Sequence, residues 1–153
     1  MSRGPEQKIL PVLRKLGIGM TAYGVLSRGL LAGSRPAESG DYRAHLPRFA
    51  GDNAAKNQRL VDAFAKLAQE RGVTPVALAI AWVMSKGTDI IPVIGARTRK
   101  QLAEIPKALG MRLTTDELNR IEAAVPVTAV AGTRYQQEQM KHLDSELGPL
   151  KPE

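Results

Sequence analysis

Residues 89–104 read DIIPVIGARTRKQLAE, and this stretch determines the fold class. It begins with an apolar run that only Pro92 interrupts, a pattern typical of a parallel strand covered on both faces. A glycine and three cations follow, and Thr98 and Gln101 have the spacing of a helix capping box. The stretch therefore predicts a strand, a basic loop and a helix start in immediate succession, which indicates an α/β fold.

A second stretch predicts the same order of strand and loop. Residues 17–33 read GIGMTAYGVLSRGLLAG, in which residues 18–23 predict a buried strand and a glycine-punctuated loop follows. Residues 34–57 are rich in Gly, Pro, Asp and Ser, and we expect a long loop there. Helical periodicity then returns over residues 60–68. The two strands are thus separated by helix-forming sequence, as in parallel sheets.

Capping signals predict three of the helices. Thr74 before Pro75 is a strong helix start, and the apolar helix that follows should be buried. The helix after Thr98 should present Leu102, Ile105 and Leu109 on its inner face, and Pro106 should shorten it. Thr114 and Glu117 form a second capping box, for a helix with an inner face of Leu118, Ile121 and Val125. A further helix is predicted near the start, over residues 6–16.

The predicted sheet is too small to stand alone. Two strands make a marginal sheet, because neither edge is paired and little apolar area is covered. Such a chain is either a piece of a larger fold or completes its sheet with another copy. We therefore expect either self-association or exposed strand edges.

Composition narrows the classes of function. The 153 residues carry a net charge of +7, but the cations are scattered, so solvated helix faces or a phosphate site are favoured over nucleic acid. No membrane span or signal peptide is apparent, and the absence of cysteine fits a cytoplasmic protein. His45 and His142 are too isolated to predict a metal site.

Four segments, in this order, resemble the aldo-keto reductase family. They are residues 22–33, 74–82, 91–104 and 113–118, and the resemblance extends over about residues 2–145. It implies that the chain is the C-terminal portion of a (β/α)8 TIM barrel, with about the last two strands and their helices, incomplete on its own. Residues 1–145 would be the cofactor-binding end of this partial barrel, and residues 146–153 a mobile tail.

The resemblance also implies a function. The family reduces aldehydes and ketones with NADPH, using a catalytic tetrad of tyrosine, lysine, aspartate and histidine that lies on earlier strands. That tetrad has no counterpart here, since Tyr23, Tyr42 and Tyr135 do not match the catalytic position. The full-length form is thus expected to be a reductase, and this chain alone to be inactive. A non-catalytic nucleotide-binding or subunit-interaction module is the alternative.

The expected NADP(H) site is assigned by resemblance. Tyr23 matches the aromatic residue that stacks on the nicotinamide, although a Tyr at a strand end also has a purely structural explanation. The pyrophosphate would follow a loop that could equally be a plain turn: Gly24, Val25, Leu26, Ser27, Arg28 and Gly29. Arg97 would hold the adenosine 2′-phosphate in a loop starting at Gly95, with Gln101 and Glu104 near the adenosine; three solvated cations are the alternative. Ile105 stands where the family usually has an asparagine that contacts adenine.

Overall fold

The computed structural model describes residues 1–36 and 40–143. The chain forms six α-helices and two strands within these residues: α1 (Gly4–Lys15), β1 (Met20–Ala22), α2 (Gly51–Glu70), α3 (Pro75–Met84), β2 (Ile90–Pro92), α4 (Arg99–Glu104), α5 (Thr115–Ala124) and α6 (Gln137–Met140). Short 3-10 turns lie at Ser27–Ala32, Tyr42–His45, Pro47–Phe49, Ile105–Ala108 and Val127–Ala129. None of the helices described is long and apolar enough to cross a bilayer. The predicted tail, residues 146–153, lies outside the described residues.

β1 and β2 form a two-stranded parallel sheet, with Met20 opposite Ile90 and Ala22 opposite Pro92. Both strands were predicted to be longer, over residues 18–23 and 89–94. Each strand has only one hydrogen-bonded neighbour. The ladder of hydrogen bonds between them is therefore short and ends near the glycines at which each strand turns into its loop. The peptide N–H of Val93 still donates to Ala22 O at 2.8 Å, which holds the two strand ends together.

The prediction that both strands are covered on two faces is wrong for this chain. Ile90 is buried, but Ile91 is 64% exposed and Val93 is 52% exposed. Alternate strand residues point to opposite faces, and the described helices cover only one of those faces. The apolar run therefore has the composition of a strand that is covered on both faces, but the described helices cover only one of them.

The core is formed by α2, α3 and α5, which pack through their apolar faces. Its largest cluster contains Val61, Phe64, Ala68, Leu78 and Ile121, all buried. Five consecutive residues of α3, Ala77–Ala81, are buried. The strand β2, with Ile90 and Pro92, follows this helix in the chain. Small side chains at alanine positions let the neighbouring elements approach closely, so α3 acts as the central helix against which the sheet and α2 pack.

The three predicted helix starts are confirmed by their hydrogen bonds. The Thr74 hydroxyl accepts from the N–H of Ala77, and both predicted capping boxes, at Thr98 and Thr114, are complete. Each cap satisfies N–H groups that have no partner within the helix. Local polar signals were therefore sufficient to locate these starts.

Two predictions about the helices need correction. α2 begins at Gly51, not after residue 57, and two 3-10 turns lie within the segment predicted to be loop. α4 ends at Glu104 because Pro106 follows, as expected, but Leu102 and Leu109 are exposed and do not form an inner face. The change to a 3-10 turn at Ile105 alters the rotation per residue, so these side chains no longer share one buried stripe.

Candidate functional site

The loops that follow β1 and β2 leave the sheet at the same edge. This results from the parallel pairing, which places Ala22 next to Pro92 and therefore brings Tyr23 and Val93 to adjacent strand ends. Ligands of α/β folds bind at the carboxyl ends of the strands, where loops bring side chains from different strands together. The glycine loop (residues 24–33) and the basic loop (residues 95–101) are thus located where such a site would be formed.

The glycine loop has an unusual backbone. Gly24 and Gly29 have φ angles of 69° and 88°, and the two non-glycine residues Ser27 and Arg28 also lie in the left-handed region, at 49° and 58°. Two tight turns close it, with Ser27 N donating to Gly24 O and Gly29 N to Leu26 O, both at 2.9 Å. Left-handed non-glycine residues cost free energy, and they tend to occur at functional sites.

Arg43 holds this strained loop in place. Its Nη1 donates to Arg28 O at 2.9 Å and to Ser34 Oγ at 3.0 Å, while Asp41 accepts from the same guanidinium at 2.7 Å. The hydrogen bond to Asp41 raises the pKa of Arg43 above its ordinary value. The interaction joins the glycine loop to the segment that was predicted to be a long loop, residues 34–57, and no local pattern identified Arg43.

Replacing Gly29 with alanine is expected to destabilise the chain more than replacing Gly24. Both have a left-handed backbone, but a Cβ at Gly29 would lie 2.9 Å from Ser34 Cβ, whereas a Cβ at Gly24 has nothing within 4 Å. Strain alone costs on the order of 1 kcal/mol, and the clash should add roughly as much again. Urea unfolding of Gly29→Ala and Gly24→Ala measures the difference, and equal losses would contradict the role of the clash.

Arg28 lies in an aromatic cluster that the sequence did not reveal. Its guanidinium is 4.3 Å from the centre of the Tyr135 ring, its Nε donates to Tyr42 Oη at 2.8 Å, and its Nη1 donates to Arg134 O at 2.8 Å. Tyr23, 66% exposed, accepts a longer hydrogen bond from Arg134. The Arg28 side chain is therefore engaged within the protein, and only long-range contacts, too distant for any sequence pattern, produce this cluster.

The basic loop keeps its cations in solvent. Gly95, Arg97, Arg99 and Lys100 are exposed, and among the described residues nothing forms a hydrogen bond or ion pair with the guanidinium of Arg97 or Arg99. Gln101 Oε1 accepts from the N–H groups of Arg97, at 2.8 Å, and Thr98, at 3.2 Å. Because the capping box uses these groups and α4 has only six residues, an anion here would be bound mainly by side chains.

Glu104, at the end of α4, is paired with a cation. Lys107 Nζ donates to Glu104 Oε1 at 2.6 Å, and this hydrogen bond, with a smaller one from Thr74, holds the pKa of Glu104 below its usual range. The carboxylate therefore adds little net negative charge to the loop. This leaves Arg97 and Arg99 as cations available to a phosphate, which is the donor chemistry that an NADP 2′-phosphate needs.

A cavity of about 420 Å³ lies beside the glycine loop and shares Tyr23, Gly24 and Arg28 with it. Ion pairs line another part of its wall: Glu122 accepts from Arg3 at 2.9 Å and from Lys86 at 2.5 Å. The Lys86 contact, followed by that of Arg3, lowers the pKa of Glu122. The site thus combines an exposed aromatic ring, an apolar cavity and a basic loop.

Three comparisons show which known proteins this chain is similar to. The model of the aldo/keto reductase family matches residues 1–126. Over 138 residues the chain is 37% identical to a probable aldo-keto reductase 1 of Glycine max, covering 88% of this chain and 40% of that protein. A glycerol dehydrogenase of Gluconobacter oxydans superposes with a TM-score of 0.75 at 31% identity, covering 86% of this chain and 41% of that one. The chain thus spans about two fifths of the length of these relatives.

Proposed function

The chain belongs to the aldo/keto reductase family, and from that premise we propose that it is the NADP-binding C-terminal part of a (β/α)8 barrel reductase. In the full-length form, NADPH would reduce an aldehyde or a ketone. Residues 1–145 would supply the cofactor-binding end of the barrel with its last two strands. Membership of the family implies nicotinamide chemistry. We propose that, within the barrel, this chain binds the cofactor and other parts carry the catalytic residues.

One observation supports this function above the others. The parallel pairing of β1 and β2 brings an exposed tyrosine to one of two loops on the same sheet edge, and to the other an exposed arginine whose guanidinium has no partner among the described residues. A fixed cation is what distinguishes the adenosine 2′-phosphate of NADP from the hydroxyl of NAD. We propose that Arg97 provides that cation, with Arg99 adding positive charge nearby, and that Gln101 fixes the loop through its capping box.

The glycine loop would contribute shape. Gly24, Val25, Leu26, Ser27, Arg28 and Gly29 form a compact turn whose glycines allow close backbone approach to a pyrophosphate. The ring of Tyr23 would lie against the nicotinamide and determine which face is presented. Bound NADPH supplies the hydride; the residues of this chain bind and orient it. Within the proposal, the proton donor and the rest of the tetrad belong to other parts of a full-length reductase.

Titration of the 153-residue chain with NADPH and NADH tests this function. Trp82 is the single tryptophan of the chain, so its fluorescence reports on binding, and calorimetry gives the affinities. We expect NADPH to bind at least about tenfold more tightly than NADH, because only NADPH carries the 2′-phosphate. The same preparation should not oxidise NADPH with a simple aldehyde. Equal affinity for both nucleotides, or turnover by the pure chain, would contradict the proposal.

A subunit-interaction module is the second candidate. The observation in its favour is the exposed apolar side chains of Ile91 and Val93 on an open sheet face. If this is the function, the chain associates with another copy to complete its sheet and binds neither nucleotide. Light scattering in the same titration separates the candidates, because a nucleotide-independent dimer without NADPH binding supports the module.

A further inference from the structure

The helix α4 determines which groups can contact the base of a bound dinucleotide. The 2′-phosphate and the base of NADP are carried by the same ribose, so a site that holds the phosphate also places the base. With the phosphate on Arg97, the base lies within reach of α4, which begins two residues later and with six residues is about 9 Å long. The side chains of α4 and of its cap Thr98 are therefore the ones that can recognise the base.

The side-chain oxygens at the start of α4 are already used. Thr98 Oγ1 accepts from the N–H of Gln101 at 3.2 Å, and Gln101 Oε1 accepts from the N–H groups of Arg97 and Thr98. Two bonds are what the lone pairs of an amide oxygen allow. Because these bonds form the capping box, releasing an oxygen for a base would cost helix stability.

The end of α4 offers no free oxygen either. Glu104 Oε1 accepts from Lys107 Nζ at 2.6 Å, and Glu104 Oε2 is buried. The next residue, Ile105, has no polar group and packs against a buried cluster that contains Ala77 and Ile80. Across α4 and its two flanking residues, all of them described, no side-chain oxygen is both exposed and unbonded. The 6-amino group of adenine, which can only donate, therefore finds no side-chain acceptor here.

The groups that α4 presents to solvent are donors. Arg99, its first residue, is exposed, and its guanidinium has no partner among the described residues. A guanidinium donates two parallel N–H groups in a fixed fork, which fits the neighbouring N7 and O6 acceptors of a 6-oxopurine. Adenine matches this fork at N7 alone, and its 6-amino group faces a second donor. The side chains of α4 thus favour an oxygen at position 6 of the purine.

We propose that Arg99 recognises the base by donating to N7 and to a 6-oxygen, so that the site selects the 2′-phosphate but does not select adenine. The ligand class is then a purine dinucleotide with a 2′-phosphate, preferably a 6-oxopurine. The inference rests on the proposed function, because it needs the phosphate on Arg97. It deepens that function by assigning the phosphate and the base to two different arginines of the basic loop and α4.

NADPH and its hypoxanthine analogue, in which an oxygen replaces the 6-amino group, test the inference. The two share the same ribose, phosphates and nicotinamide, so their affinities differ only through the base. Calorimetric titration of the 153-residue chain should show the analogue binding roughly tenfold more tightly than NADPH, the lower end of what a hydrogen bond to a charged group contributes. Equal affinities, or tighter binding of NADPH, overturn the inference.

Arg99→Glu is the decisive variant, because it replaces the donor fork with an acceptor for the 6-amino group. Its preference should reverse in favour of NADPH, and a carboxylate in the first turn of a helix is favourable for folding. The ratio of the two affinities is insensitive to overall charge, since both ligands carry the same phosphates. Arg59→Glu, on α2, should therefore keep the ratio of the parent, and circular dichroism verifies that both variants are folded.

The outcomes separate this inference from the function on which it rests. If neither dinucleotide binds the parent chain, the proposed function fails and the inference fails with it. If both bind but Arg99→Glu still prefers the hypoxanthine analogue, or Arg59→Glu changes the ratio as much, the inference fails alone. In that case the 2′-phosphate site at Arg97 stands without a base-reading role for Arg99.

Discussion

Changing Arg97 to glutamate is expected to weaken NADPH binding roughly a hundredfold while leaving NADH binding within about threefold of the parent value. A charged hydrogen bond to a phosphate contributes about 1.5–3 kcal/mol, and reversing the charge adds repulsion. NADH has no 2′-phosphate, so it should lose little. The Arg97 guanidinium forms no bond with any described residue, and its loss should not disturb the fold. Calorimetric titration with both nucleotides measures the difference.

Arg59→Glu is the matched control for this charge reversal. Arg59 is an exposed arginine on α2, outside both strand-end loops in sequence, and its replacement changes the net charge by the same amount. NADPH affinity should change by less than about threefold, since exposed charges outside the site are screened by salt. Similar losses in the two variants would show that net charge, and not a fixed cation at Arg97, governs binding. An equal loss for NADH would likewise exclude 2′-phosphate recognition.

The Asn57→Ala variant should lose about 3 kcal/mol of unfolding free energy. Asn57 is 0% exposed and lies within α2. Its Nδ2 donates to Arg48 O at 3.0 Å and to Ala131 O at 2.8 Å, while its Oδ1 accepts from Ala131 N at 2.9 Å. Alanine removes all three bonds and leaves buried backbone groups unsatisfied. Urea denaturation followed by circular dichroism gives the difference from the parent.

Asn53 offers a control on the same helix, about one turn earlier. It is half-buried and donates one hydrogen bond, to Pro47 O at 3.1 Å. Asn53→Ala should therefore cost less than about 1 kcal/mol, the net contribution of one ordinary hydrogen bond. If both variants lost the same amount, the stabilising role would belong to amides on α2 in general and not to the buried junction at Asn57.

The sequence allowed much of the fold to be predicted, because several of its elements depend on local signals. The helix starts at Thr74, Thr98 and Thr114 need only a side chain and the next turn of backbone. The early start of α2 was missed because no side chain caps it: its N-cap residue is Ala50, which offers no polar group. The open face of the sheet was missed because a strand's apolar run is the same whether or not anything covers it.

The candidate site was predictable to a similar degree. Its two loops follow apolar runs, so their common edge follows from parallel pairing alone. The residues that support the glycine loop, among them Arg43 and Tyr135, belong to segments without periodicity, and no spacing rule links them to Arg28. That these loops bind NADP is a prediction, and the Arg97 experiment addresses it.

The register of the sheet also bears on how the chain acquires its structure. Met20 pairs with Ile90, seventy positions later, so the ladder can close only after that intervening segment has been brought together. Contacts of such long sequence separation form slowly, because chain entropy is lost before any hydrogen bond compensates for it. Collapse of α2 onto α3, which adjoin in sequence, would shorten the effective loop and so precede the sheet. The sheet edge that aligns the glycine loop with the basic loop is thus expected to be among the last features to form.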